Sequence, residues 1–122
     1  MMRGSEDGFR ADDFHRLCDH QGPTLTVVKT AEAHTFGGFT TVPWHTPAAG
    51  QLEKPDHDAF LFSATHQTVH RVKTSYNAAV THRKETLAIF GNGYDLVLSD
   101  RCNENTKSTS YLGCCFELPP DI

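Results

Sequence analysis

Thr24-Leu25-Thr26-Val27-Val28-Lys29 and, a few residues on, His34-Thr35-Phe36-Gly37-Gly38-Phe39-Thr40-Thr41-Val42 are two strand signals in succession with no helical pattern between them. In the first run Leu25 and Val27 alternate with Thr24 and Thr26, and β-branched side chains dominate, which suits a pleated, half-buried surface. In the second run Gly37 and Gly38 remove side chains. A glycine pair inside a strand marks a bulge, or a place where another backbone or an aromatic ring lies close. Pro43 ends ladder pairing, because it has no N–H to donate.

Outward from this stretch, Ala11 to Asp19 predicts a short helix. Phe14, Leu17 and Cys18 fall on one face at i, i+3 and i+4, Asp12 and Asp13 put negative charge near its start, and Gly22-Pro23 stops it. His45 to His57 carries Pro47, Gly50 and Pro55 among small and polar residues and reads as a surface loop. Asp58 to Ala64 is compact and apolar, with Phe60 and Phe62 on one face and Leu61 on the other, and reads as a strand buried on both sides. Gln67 to Lys73 is a weaker strand, suited to a sheet edge. Leu87 to Phe90, the turn Gly91-Asn92-Gly93 and Tyr94 to Ser99 read as a hairpin or a bulged re-entry. Arg101 to Ser110 is polar and reads as a loop. Five or six short strands with one or two short flanking helices, and no alternation of strand with long helix, predict a mainly β (α+β) fold. The architecture expected is a two-sheet antiparallel β-sandwich.

The bulk properties fit a single domain over residues 1–122. Hydrophobic residues make up 38% and charged residues 21% of the chain, and eight Phe, three Tyr and Trp44 supply large side chains to a core. The formal charge is −4, and no window concentrates Lys and Arg with aromatics, which argues against nucleic acid as a partner. The start of the chain has no apolar h-region, and no stretch nears the roughly 20 apolar residues needed to cross a bilayer, so no membrane insertion is expected. Cys18, Cys102, Cys114 and Cys115 do not form a small secreted disulfide framework. Reduced thiols in cytosol or nucleus fit better, with the cytoplasm the location expected, and no Asn-X-Ser/Thr acceptor occurs.

Several segments in fixed order resemble the TLDc domain family. They are Asp7-Gly8-Phe9; Phe14-His15 with Cys18-Asp19; Gly22-Pro23-Thr24-Leu25-Thr26; Phe36-Gly37-Gly38-Phe39-Thr40 with Pro43-Trp44; Ala59-Phe60-Leu61-Phe62-Ser63; Phe90-Gly91-Asn92-Gly93 with Asp95-Leu96 and Ser99-Asp100; then Asn103 and Leu112-Gly113. The resemblance implies a β-sandwich with short flanking helices. It also implies an intracellular, eukaryotic protein tied to protection against oxidative stress and, in several members, to binding and regulating the vacuolar proton-pumping ATPase. Two departures stand out. Only Met1 to Glu6 precede Asp7-Gly8-Phe9, where the family has a hydrophobic strand, and Pro119-Pro120-Asp121-Ile122 stands where the family has its last strand. A form shortened at both ends is expected to leave a sheet edge open, for a partner to cover.

The residues that could carry chemistry are weighed against plainer roles. His66 and His70 would share a helix face, but Thr65 to Val72 favours a strand, where positions four apart lie about 13 Å from each other, too far for one zinc ion. Cys18-x-His20 could chelate on a loop, yet Cys18 falls on the apolar helix face. Cys114-Cys115 lacks the positive neighbours that activate a thiol. Gly91-Asn92-Gly93 lacks the length, the Lys and the following helix of a phosphate loop. No metal, cofactor or catalytic set is therefore assigned, and a Cys/His redox or metal-dependent enzyme stands only as an alternative. Phe36, Phe39, Trp44, Phe60, Phe62, Leu96 and Leu98 are core candidates, and Gly91 and Gly93 are expected to supply positive φ. The expected function is protein binding, through loops such as His45 to His57 and Arg101 to Ser110. A structural component of a larger assembly is the second reading.

Overall fold

The computed structural model describes residues 3–30, 33–72, 79–91, 95–99 and 116. Two short helices, α1 (Gly4–Asp7) and α2 (Ala11–Cys18), precede eight strands: β1 (Thr24–Lys29), β2 (Thr35–Thr40), β3 (Gln51–Lys54), β4 (Phe60–Ser63), β5 (Thr68–Arg71), β6 (Val80–Arg83), β7 (Thr86–Phe90) and β8 (Leu96–Ser99). They form two four-stranded sheets of order β1-β2-β4-β5 and β3-β6-β7-β8, antiparallel throughout. The fold is mainly β and matches the expected sandwich.

The glycine pair explains how the sheets meet. A Cβ on Gly38 would sit 2.6 Å from the Phe90 ring, and one on Gly37 would run into the Thr26 carbonyl and come within 3.0 Å of the Phe62 ring. Gly38 thus opens space for Phe90 of the opposite sheet, while Gly37 lets β1 and β2 close up under Phe62. The core gathers around this contact. Trp44, Leu61, Ala79, Val80, Ala88, Phe90, Leu96, Leu98 and Phe116 are buried in one cluster.

Three expectations need correcting. The stretch His45 to His57 is not all loop, because Gln51–Lys54 pairs with Val80–Arg83 as an edge strand. All four β3 residues are exposed, so backbone bonding alone defines the strand and no apolar alternation announces it. The same pairing brings in β6, which no reading anticipated, since buried His82 and Thr81 break its apolar pattern. Asp58 to Ala64 is not buried on both sides: Leu61 is buried, while Phe60 and Phe62 are only partly covered on the outer face. Helix α2 also buries a different stripe from the one expected. Ala11, Phe14 and His15 are its buried residues, and Cys18 packs partly against the core, so a histidine takes the place given to Leu17. The loop at 101–110, Gly93 and the cysteines beyond Cys18 lie outside the described residues.

Candidate functional site

Trp44 organises one end of the molecule. It is 1% exposed, and its ring meets Phe14 of α2, His82 of β6 and Phe90 of β7 edge-on at 5.4, 5.7 and 5.7 Å. Its indole Nε1–H donates to Thr24 Oγ1 at 2.9 Å, and its carbonyl accepts the His20 N–H at 2.9 Å. The buried ring thereby ties together the start of β1, the helix end and the second sheet. This is a core position, as expected.

Around it lie several histidines. His15 Nε2 faces the carbonyls of Arg83 and Thr86 at 2.7 and 2.9 Å, which pins α2 on the β6–β7 turn. Its Nδ1 lies 2.8 Å from Asp19 Oδ1, and Thr46 Oγ1 donates to the other Asp19 oxygen. His82 is 1% exposed with no partner for Nδ1. Burial first, then neighbouring His45, lowers its pKa from 6.5 to about 4. The ring therefore stays neutral at physiological pH. The i, i+4 spacing of His15 and Asp19 on a helix was a readable signal for their contact; nothing local in sequence marks His82 as buried.

These groups do not assemble into chemistry. Thr46 bonds Asp19 rather than a histidine. Burial, then the adjacent Asp19 carboxylate, pushes the Cys18 thiol up, away from the thiolate a nucleophile or metal ligand needs. His66 sits in the turn against His34, with ring centroids 5.9 Å apart, whereas His70 is buried on β5 beside Thr68 at 3.0 Å. No group of three His, Cys, Asp or Glu side chains converges as a metal site among the described residues. Asp56 serves a loop. Burial opposes its charge, yet donations from Thr40 Oγ1 and the Thr41 and Asp58 N–H groups, at 2.7, 2.7 and 3.0 Å, hold its carboxyl below the usual range.

The residues of the ordered motif spread over turns and core. Asp7 accepts the Arg3 N–H at 2.8 Å, Gly8 takes φ +108° where a Cβ would strike the Asp13 carboxylate, and the Phe9 ring lies on Gly4. Pro43 is exposed beside buried Trp44. Ser63 Oγ accepts the His66 N–H at 3.1 Å. Gly91 takes φ +83°. Asp95 is fully buried and accepts the Phe116 N–H at 3.0 Å, and Leu96 is in the core.

The feature suited to binding is elsewhere, on the outer face of the first sheet. Register places Leu25, Phe39, Phe60 and Arg71 in one row across β1, β2, β4 and β5, and Val27, Gly37, Phe62 and Val69 in the next. Phe39 and Phe60 stack at 5.4 Å. Leu25, Val27 and Val69 are 59, 56 and 59% exposed. Contiguous apolar surface of this kind marks an interaction site more often than isolated exposed residues do.

Comparison with known proteins accords with the fold. A family model described as the TLDc domain matches residues 2–120. The MTOR-associated protein MEAK7 of Mus musculus is 34% identical over 67 residues, covering 52% of this chain and 14% of that protein. The chain thus matches only a small part of that relative's length. With the family model spanning nearly all of its residues, this chain belongs to the TLDc domain family.

Proposed function

We propose that the chain is a protein-binding TLDc module that works by docking a partner rather than by catalysis. The observation that carries this is the apolar outer face of the first sheet, with Leu25, Val27 and Val69 exposed around Phe39, Phe60 and Phe62. The family resemblance supports the vacuolar proton-pumping ATPase as partner, in a cytoplasmic setting linked to oxidative-stress protection. The relative's name adds mTOR as a second protein to test. No helix among the described residues is long and apolar enough to cross a membrane, which suits a docking role at a membrane-bound assembly without insertion.

The test is capture of purified vacuolar ATPase subunits, and separately of mTOR, by the immobilised chain, with a scrambled-sequence control. Enrichment of either over the control is expected. Equal recovery from both columns removes that partner. Peroxide turnover by the purified protein would overturn the non-catalytic reading.

A further inference from the structure

We propose that β1 is a pairing edge through which two copies of this chain join, β1 against β1, antiparallel, with Val27 facing Val27 of the second copy. This goes beyond the binding role above and stands apart from the identity of any partner. Among the described residues β1 is the outer strand of its sheet, and it pairs with β2 over six consecutive residues with no register shift. Just past that ladder the Thr30 N–H donates to the His34 carbonyl at 2.9 Å. Antiparallel pairing alternates hydrogen-bonded and non-bonded positions. Counting back from Thr30, Val28, Thr26 and Thr24 direct their N–H and C=O groups to β2, and Leu25, Val27 and Lys29 direct theirs away from it.

Natural edge strands are blunted by charges, Pro or bulges. The other edge of this sheet, β5, carries Arg71, and the adjoining Val72 already bridges to Phe116. β3 of the second sheet is all exposed and holds Glu53 and Lys54. β1 has only Lys29 at its end, and its outward side chains Leu25 and Val27 are more than half exposed.

The strand is self-complementary in one register. With Val27 on the two-fold axis, Leu25 faces Lys29 of the second copy and Lys29 faces its Leu25. That makes three hydrogen-bonded pairs, each exchanging two bonds. The two lysines stay apart, and each alkyl stem covers a leucine. Sliding by two residues toward the start of the strand would set Lys29 opposite Pro23, which has no N–H. Sliding the other way would run the strand past its end. A single-strand contact falls short of the ~1,200 Å² of a standard stable interface, so the association is weak and concentration-dependent.

Sedimentation of the intact chain from about 10 μM to about 1 mM is the test, spanning the range where weak dimers form. The mass is expected to rise from 13.6 kDa toward twice that value. Leu25→Lys, which sets an ammonium opposite Lys29 of the second copy, should weaken association at least ~10-fold. Leu25→Glu at the same exposed position should retain or tighten it, and Leu25→Lys with Lys29→Glu should restore it. Circular dichroism melts identify any variant that has not folded, and for such a variant Val27→Lys, which sets like charges on the axis, takes its place. A strictly monomeric wild type at the highest concentration, or equal loss in both Leu25 variants, overturns the proposal.

Discussion

Strands β6 and β7 and strands β1 and β5 occupy the same sandwich yet are buried differently. In the second sheet both faces are covered: the neighbouring residues Thr81 and His82 of β6, and Leu87, Ala88, Ile89 and Phe90 in succession on β7, are all buried, although successive side chains of a strand point to opposite faces. In the first sheet only the inner face is closed, and Leu25, Val27 and Val69 stand in solvent. Apolar residues of the second sheet therefore hold the fold. Those on the outer face of the first sheet add little to stability and remain available to a partner.

The sharpest way to break the covered side is Trp44→Ala. It removes contacts with Phe14, His82 and Phe90 and the bond to Thr24, and should cost about 3–5 kcal/mol in urea unfolding. Acid is the next probe. His82 is neutral and buried, with its pKa lowered from 6.5 to about 4. The unfolded chain takes up a proton below pH 6.5 that the folded chain refuses until about pH 4. Stability is thus complete above pH 6.5 and declines toward pH 4, by at most about 3 kcal/mol. His82→Leu should flatten that window and remove the unpartnered Nδ1; an unchanged slope would place the acid sensitivity elsewhere. Gly38→Ala should cost about 1–3 kcal/mol by forcing the Phe90 ring to move. Phe90→Leu in the same chain should recover part of that loss, a coupling that double-mutant analysis of unfolding would measure.

The contrast between the two sheets was only partly legible in sequence. β1, β2, β4, β5, β7 and β8 carry alternating or continuous apolar runs, and the glycine pair marked either a bulge or a close approach of a backbone or an aromatic ring, of which the Thr26 carbonyl, Phe62 and Phe90 supply the close approach. β3 and β6 stayed hidden. One is polar, fully exposed and defined by long-range backbone pairing that no local pattern records; the other, although it forms a hairpin with β7, is interrupted by buried Thr81 and His82. The open face was hidden too. Leu25, Val27 and Phe60 read as core candidates or strand formers, because alternation tells which residues share a face but not which face meets the other sheet. The spread of the ordered motif over turns and core has the same cause: sequence order marks the family, whereas the sheet register assembles the exposed surface.

The smallest stability effect and the most direct test come together at Val69, which is 59% exposed on β5 and far from the β1 edge. Val69→Glu should leave the urea midpoint within about 0.5 kcal/mol of the wild type, as expected for an exposed site. On the same preparation, capture of the purified partner subunits should fall at least ~10-fold, because a carboxylate is then set into the apolar face. Undiminished capture by a folded Val69→Glu chain would contradict the assignment of the first sheet's outer face as the docking surface.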